Sequence, residues 1–239
     1  MRLHRFHISE TVGTSTELTI RSGELANQLR RVFRLKAGDS IVIFDGSGSE
    51  YTCAIASFFG GDDGVVLDVR GSARARFMPQ RKVWLFMAIV KKDNFELIVE
   101  KATELGVTDI VPVIAERTEK KSLNEGRLRK IAVEASEQSG RGDVPVIHPI
   151  QTLKDALISV AAEKALDPIV FHTEGGRFDI EKLSDSAPLA VFIGPEGGWS
   201  PDELDMFHAA NMPVVCLGPQ VLRAETAVIA ALSQVVFRL

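Results

Sequence analysis

The stretch Ile193-Gly194-Pro195-Glu196-Gly197-Gly198-Trp199-Ser200-Pro201 decides the fold that we predict for this chain. A continuous apolar run, Leu189–Ile193, leads into it and predicts a buried strand. The three glycines allow the backbone to turn sharply and to approach a ligand closely. Ser200, Pro201 and Glu203 then match a helix start, with a serine N-cap, a proline at the first helical position and a glutamate three residues after the cap. Such an edge is typical of ligand binding in α/β proteins, although an ordinary strand-to-helix connection has the same pattern.

A second turn of this kind follows the next predicted strand, residues 214–217, and favours the ligand-binding interpretation. It is Leu217-Gly218-Pro219-Gln220-Val221-Leu222-Arg223-Ala224-Glu225-Thr226-Ala227, and a last helix is predicted from residue 225 to about residue 237. His172-Thr173-Glu174-Gly175-Gly176 closes a third predicted strand, residues 168–171, in the same way. We therefore expect three glycine-bearing segments to surround one flat, polar ligand with main-chain N–H and C=O groups.

The chain divides into two predicted domains. From residue 82 onward strands and helices alternate, which predicts a mainly parallel sheet with helices on both sides. Residues 1–72 instead show short strands at regular spacing, which predicts a small β-barrel. Residues 73–81 lack periodicity and predict a linker.

The predicted barrel carries a basic cluster. Its predicted helix, residues 22–33, is followed at once by Arg34 and presents Arg30 and Arg31 on its polar face. With Arg5, and with Arg2 beside it, these arginines are candidates for binding RNA phosphates, although a solvated helix face explains them as well. Residues 1–82 hold 12 lysines and arginines against 9 acidic residues, whereas the remainder holds 16 against 23. This asymmetry indicates an anionic partner for the first part of the chain.

Several classes of protein lack their signature here. The sequence contains no Gly-x-x-x-x-Gly-Lys-Ser/Thr loop, no Gly-x-Ser-x-Gly elbow, and no Gly-x-Gly-x-x-Gly after the first α/β strand. The five histidines show no metal-ligand spacing, so no metal is expected. No apolar run approaches the ~20 residues that span a bilayer, so we expect no membrane association. Cys53 and Cys216 lie far apart in apolar runs, which predicts free thiols and a cytoplasmic protein.

The two turns, in this order, strongly resemble those of the knotted SPOUT methyltransferases. The whole chain is similar to the ribosomal RNA small subunit methyltransferase E family within that superfamily. Four further segments carry the resemblance: Arg5-Phe6, the run from Leu29 to Asp39, Glu100-Lys101-Ala102-Thr103-Glu104-Leu105-Gly106-Val107, and Glu134-Ala135-Ser136-Glu137-Gln138-Ser139-Gly140-Arg141.

The resemblance implies a SPOUT-type trefoil-knotted α/β domain over residues 82–239 and a PUA-like β-barrel over residues 1–72. It implies a homodimer that uses S-adenosylmethionine to methylate N3 of a uridine in 16S ribosomal RNA of the small subunit. The cofactor-binding residues would be Thr173, Ile193, Gly194, Glu196, Gly197, Gly198, Leu217, Gly218, Val221, Leu222, Thr226 and Ala227.

Uridine N3 carries a proton at neutral pH, so its methylation requires a base and a cationic clamp. Our hypothesis is that Arg223 holds the uracil oxygens or a phosphate, and that Glu225 or Glu196 assists removal of the proton, although a water molecule is an alternative. A structural ion pair at Arg223 and a helix-dipole role for Glu225 are the competing interpretations. The functional alternatives are a methyltransferase acting on another ribosomal or transfer RNA site, a non-catalytic ribosome-assembly protein that binds RNA, and an α/β enzyme acting on a small nucleotide.

Overall fold

The computed structural model describes residues 3–61, 63–119, 121–163, 165–183 and 187–237, so that Arg2 lies outside the described part. The chain forms two compact units. The first comprises Met1–Met78 and Ser136–Asp143, and the second comprises Pro79–Ala135 and Val144–Leu239. The short segment 136–143 thus joins the first unit although it follows 57 residues of the second in the sequence.

The first unit is built on a five-stranded sheet. Its strands are β1 (Arg5–His7), β2 (Glu17–Ile20), β3 (Ser40–Phe44), β4 (Ser49–Phe59) and β5 (Gly64–Arg74), in the spatial order β1-β3-β4-β5-β2. The β1–β3 pair is parallel and the other pairs are antiparallel. β5 continues to Arg74, so the first two residues of the predicted linker belong to a strand.

A short helix packs on this sheet. Helix α1 (Gly23–Asn27) begins after Ser22, whose hydroxyl accepts a hydrogen bond of 3.2 Å from the Leu25 N–H. The chain then winds through a π-helical turn, Gln28–Val32, instead of the regular helix that the pattern predicts. Of the apolar stripe predicted for this helix, Leu25 and Leu29 are buried in the core and Phe33 packs against it, whereas Val32 is 65% exposed, so the prediction is wrong at that residue.

The second unit is a parallel sheet with helices on both faces. Its strands are β6 (Val83–Ala88), β7 (Asp109–Ile114), β8 (Val146–Ile147), β9 (Gln151–Thr152), β10 (Asp167–Arg177), β11 (Leu189–Ile193) and β12 (Val214–Cys216). The spatial order is β12-β10-β11-β6-β7-β8, with β9 also on β7, and every described pairing is parallel. The helices are α2 (Lys92–Glu104), α3 (Glu125–Ser139), α4 (Leu153–Ala162), α5 (Pro201–Ala209) and α6 (Ala224–Phe237), with a 3₁₀ turn at Ile180–Lys182.

Burial on both faces explains the continuous apolar strands. In β11, Val191 and Ile193 contribute to the core under α2, α3 and α6, whereas Ala190 and Phe192 contribute to the core under α4 and α5. All five residues of β11 are buried, and the ring of Phe192 stacks on that of Phe86 with 4.4 Å between centroids. The strand that leads into the glycine turn is therefore the most enclosed part of the sheet's centre.

The start of α5 confirms the capping pattern expected from the sequence. Ser200 and Glu203 form the predicted reciprocal capping box, and Pro201 is the first residue of the helix. At α3 the Asn124 side chain accepts a hydrogen bond of 3.0 Å from the Arg127 N–H.

The third predicted glycine turn is wrong. Residues 172–177 continue β10, which pairs with β12 on both sides of an irregularity between Phe171 and Gly176. A Cβ atom on Gly175 would lie 2.4 Å from the backbone of Val215, so this glycine permits close approach of two strands. Its presence reflects sheet packing and not the ligand turn that the sequence indicated.

Candidate functional site

The carboxyl ends of β11 and β12, together with residues 171–173 of β10, border an open cavity of about 90 Å³ in the second unit. Because these strands are neighbours and parallel, the segments that follow them meet at one edge of the sheet, where α/β folds bind ligands. The segment 193–199 after β11 forms one wall and the segment 217–224 after β12 forms another, and residues 171–173 of β10 complete the lining.

The turn after β11 is tightly packed. The Gly198 N–H donates to the Pro195 carbonyl at 2.8 Å, and Gly198 takes a φ of +68° that side chains disfavour. A Cβ atom on Gly194 would lie 3.2 Å from the Trp199 nitrogen and 3.3 Å from its indole ring. Glycine at these two positions therefore fixes the path of the wall.

A buried carboxylate braces this turn. Glu203, 6% exposed, accepts hydrogen bonds of 2.8 Å from the N–H groups of Ser200 and Glu116. The neighbouring Arg117 donates from Nη1 to the Gly197 carbonyl at 2.5 Å. The segment after β7 thus holds the glycine turn at Gly197, through the Arg117 side chain, and at the start of α5, through the Glu116 N–H.

The turn after β12 is more open. Val221 is 81% exposed and Leu222 is 37% exposed, although both line the cavity. The Ala227 N–H donates to the Arg223 carbonyl at 2.8 Å, which joins the end of this turn to α6. This wall therefore presents apolar side chains to both the cavity and solvent.

Most of the predicted cofactor residues line this cavity. Ten of the twelve do so: Thr173, Ile193, Gly194, Glu196, Gly198, Leu217, Gly218, Val221, Leu222 and Ala227. Gly197 lies instead in an adjacent groove, and Thr226, in the first turn of α6, is exposed and outside the lining. The glycine turns in the sequence thus predicted the segments that line the cavity, whereas within α6 Ala227 lines it and Thr226 does not.

The three predicted catalytic residues are not brought together around the cavity. Glu196 lines it, is exposed, and accepts a hydrogen bond of 3.4 Å from the Lys91 N–H. Arg223 is exposed and Glu225 is half-buried, and neither is among the lining residues. One carboxylate oxygen of Glu225, Oε2, is buried without a hydrogen-bond partner among the described residues.

The sequence interpretation overlooked two polar residues. His172 lines the cavity and also an adjacent groove of about 320 Å³, whose lining includes Arg117. Burial lowers the pKa of the His172 imidazole below its ordinary value; Glu174 opposes this shift, and Arg117 adds to it. His172 stood inside a quoted segment, and Arg117 follows the strand β7, so the rule that strand ends carry function would have found both.

The basic residues of the first unit separate into two groups. Arg5 is 11% exposed at its side chain, pairs with Glu50 at 2.7 Å and donates to the Arg141 carbonyl at 2.9 Å. Its location corrects the expectation that it faces phosphates, because its guanidinium is buried in the unit. Arg30, Arg31 and Arg34 are exposed, and the Arg30 guanidinium lies 5.3 Å from the centre of the Phe58 ring.

Two general features of the described residues bear on the site. No group of three or more His, Cys, Asp or Glu side chains among them could hold a metal ion. Within the same residues, helices fall short of the length and apolar character needed to cross a membrane. Cys53 is a free, buried cysteine, and burial raises the pKa of its thiol to about 11.

Comparisons with known proteins match both units. The RNA methyltransferase domain family matches residues 78–236, and the RNA methyltransferase PUA domain family matches residues 22–57. Ribosomal RNA small subunit methyltransferase E of Rickettsia conorii is 29% identical over 98% of this chain and 96% of its own. The protein of that name from Synechocystis is 31% identical over 91% of this chain and 72% of its own. The crystal structure of the Neisseria gonorrhoeae protein, bound to S-adenosyl methionine, superposes with a TM-score of 0.88 at 26% identity and covers 98% of this chain and 97% of its own.

Proposed function

The chain belongs to the ribosomal RNA small subunit methyltransferase E family, and from this membership we propose that it methylates N3 of a uridine in 16S ribosomal RNA, at uracil 1498, with S-adenosylmethionine as the donor. Its fold is the expected combination of an α/β domain on a parallel sheet and a PUA domain, and it is an RNA methyltransferase. A ribosomal substrate makes the cytoplasm the proposed place of this reaction.

The observation that carries the proposal is the cavity between the two turns. Its lining suits the donor, because Phe171, Ile193 and Leu222 offer apolar surface to a flat base while the turns supply main-chain polar groups. Glu196 adds a carboxylate at the same wall, which favours a cationic ligand. When bound there, S-adenosylmethionine supplies an electrophilic methyl group on a sulfonium centre.

The protein's own residues have to position the two reactants and stabilise charge. We assign the braced turn after β11 to holding the donor, since its backbone is fixed by Glu203 and Arg117. Arg223, exposed at the end of the second turn, is proposed to hold uracil oxygens or a nearby phosphate. Glu196, which lines the cavity, is proposed to place negative charge beside the sulfonium, whereas Glu225, the other carboxylate expected to take the proton, lies outside the lining.

Capture of RNA is assigned to the exposed arginines Arg30, Arg31 and Arg34 of the first unit. Binding through phosphates releases counterions, so affinity falls as salt rises. We predict that reversing both charges, Arg30→Glu with Arg31→Glu, weakens binding to small-subunit particles about tenfold or more and lowers the slope of log K against log salt by about 2. Filter binding at several salt concentrations measures both quantities.

The matched control is Arg70→Glu, at an exposed arginine that pairs with Asp68 on β5. We expect it to leave the salt slope near that of the unchanged protein. If the double reversal changed neither affinity nor slope, the assignment of RNA capture to these arginines would be wrong.

We also propose that the chain is a homodimer. Helix α6 leaves Ile229 37% exposed and Phe237 54% exposed, and Leu97 on α2, which packs beside α6, is 37% exposed. Apolar side chains that remain exposed favour a protein interface where they form a patch. Analytical ultracentrifugation of the unchanged protein and of Ile229→Glu tests this, with a shift from dimer to monomer as the expected result.

The decisive experiment for the function uses small-subunit particles from cells that lack this protein. Labelled methyl groups are expected to pass from S-adenosylmethionine to 16S ribosomal RNA, and mass spectrometry of the digested RNA is expected to find N3-methyluridine at one position. Methylation of another base or of another RNA would show that N3 of a uridine in 16S ribosomal RNA is not the target. Donor binding without any methyl transfer would support the non-catalytic assembly role.

A further inference from the structure

The groove beside the cavity is large enough for a base and is continuous with the proposed donor site. It has a volume of about 320 Å³ and shares six lining residues with the cavity: His172, Thr173, Glu196, Gly198, Trp199 and Val221. A planar ring in the groove therefore lies next to any group held in the cavity. Proximity of this kind is what methyl transfer between two bound molecules requires.

Two polar side chains meet at this groove. A Cβ atom on Gly197 would lie 3.2 Å from Cδ of Arg117, and a Cβ atom on Gly198 would lie 3.4 Å from Cε1 of His172. Consecutive glycines thus bring a guanidinium and an imidazole to one short piece of backbone. A side chain at either glycine would crowd these groups, so the two glycines allow both to lie close to the turn.

These groups complement the hydrogen-bonding edge of uracil that contains N3. The ring presents an N–H at N3 between two carbonyl oxygens, so its recognition requires a hydrogen-bond acceptor flanked by donors. A neutral imidazole supplies the acceptor, and the Arg117 guanidinium has several N–H donors besides the one on Gly197. Glu174 and Glu196, which also line the groove, can only accept when ionised.

We propose, as a consequence of the proposed function, that this groove receives the target uracil, that His172 takes the N3 proton, and that Arg117 faces the uracil oxygens. The N3–H bond breaks and its electron pair stays on nitrogen while the proton passes to the imidazole. N3 then bonds to the methyl carbon as the bond from that carbon to the donor's sulfonium sulfur breaks, and sulfur keeps that electron pair. One cation is lost at sulfur and one is formed at His172.

The electrostatic surroundings agree with this role. The groups that face His172 are Glu174 on its own strand, Arg117 after β7 and Glu196 after β11. Burial lowers the pKa of His172, so the imidazole is mostly neutral at pH 7 and can accept a proton. Arg117 stabilises negative charge as it develops on the uracil oxygens.

The test compares His172→Gln and His172→Ala in the full-length protein with the unchanged protein. Glutamine still accepts a hydrogen bond from N3–H but cannot take the proton, whereas alanine does neither. At saturating donor, single-turnover methylation of small-subunit particles is expected to fall about 100-fold or more for both variants. In the unchanged protein the rate rises as pH passes upward through the lowered pKa of His172 and then levels off, and the variants lose this inflection.

A binding measurement provides a readout apart from activity. A short single-stranded RNA with one uridine and the same RNA with N3-methyluridine are compared by fluorescence anisotropy. The unchanged protein and His172→Gln are expected to prefer uridine about tenfold, because the methylated base has no N3 proton to donate. His172→Ala is expected to bind both RNAs alike. The matched control is His208→Gln, an exposed histidine on α5, which should behave as the unchanged protein does.

Arg117 is tested at saturating donor, so that any effect on donor affinity does not contribute. Arg117→Ala is expected to slow methyl transfer about tenfold or more, and Arg117→Lys to recover part of that loss. Normal rates and an unchanged pH profile in both His172 variants would overturn the inference while leaving the proposed function intact. No methylation by the unchanged protein would instead overturn the proposed function, and the inference with it.

Discussion

The two turns that enclose the cavity are alike in sequence and different in structure. Both follow a strand, contain glycine and proline, and lead into a helix. The turn after β11 is held by Glu203 and Arg117, whereas the turn after β12 leaves Val221 81% exposed. Similar sequence patterns therefore produced one rigid wall and one open wall.

This difference has a functional meaning. A ligand that needs precise orientation gains from a wall whose backbone is fixed before binding. A ligand that has to enter and leave gains from a wall that can move, and exposed segments with few buried contacts are the least stable parts of a protein. We infer that the turn after β11 orients the donor and that the turn after β12 admits it. The three predictions below test this division, from the largest expected effect to the smallest.

The largest effect is expected for Glu203→Ala. The substitution leaves the N–H groups of Ser200 and Glu116 without their acceptor in a buried place, which costs about 1–3 kcal/mol each. We expect a loss of about 3 kcal/mol in the free energy of unfolding, measured by urea denaturation, and weaker donor binding in calorimetry. Glu203→Gln keeps one acceptor oxygen and should lose about half as much.

Asp202→Ala is the matched control for this prediction. Asp202 is the neighbouring acidic residue in the first turn of α5, but it is exposed. Its loss removes only a helix-dipole interaction, worth about 0.3–1 kcal/mol. Equal destabilisation by the two substitutions would mean that the brace adds nothing to the rigidity of this wall.

The second effect is expected for Gly198→Ala. The residue has a φ of +68°, which costs a non-glycine residue about 1–2 kcal/mol, and the new Cβ would lie 3.4 Å from His172 Cε1. We expect a loss of about 1 kcal/mol in stability and about tenfold weaker donor binding. Gly46→Ala is the control, because Gly46 has a φ of +78° with no atom near its Cβ position. Gly46→Ala should lose as much stability as Gly198→Ala does and leave donor affinity unchanged.

The sequence correctly predicted those features of the fold that depend on residues close together in the chain. The bounds of β11 and the capping box at α5 are correct to the residue, because the apolar run and the Ser200–Glu203 spacing act locally. The walls of the cavity follow from the same local patterns together with the parallel order of the strands. The assignment of individual cofactor and catalytic residues is still a prediction.

Other features depend on contacts between residues distant in sequence. Gly175 suggested a ligand turn, but its lack of a side chain serves the approach of β12. Arg5 suggested a phosphate contact, but Glu50 and the Arg141 carbonyl hold it inside the first unit. The position of Arg117 after a strand is visible in the sequence, but its contact with the Gly197 carbonyl, 80 residues away, is not. No local period or motif reports such pairings, so they emerge only with the fold.

The smallest effect is expected for Val221→Ser in the open turn. A side chain that is 81% exposed loses little buried apolar surface, so the free energy of unfolding should change by less than about 0.5 kcal/mol. The same substitution at Val191 in β11, which is 0% exposed, should cost about 2 kcal/mol or more, since it places a hydroxyl among apolar side chains.

Stopped-flow binding adds the kinetic test, because a gating role for the open turn predicts changed donor association and release rates in Val221→Pro with little change in stability. If Val221→Ser destabilised the protein as much as Val191→Ser does, both walls would be rigid, and donor entry would require another route.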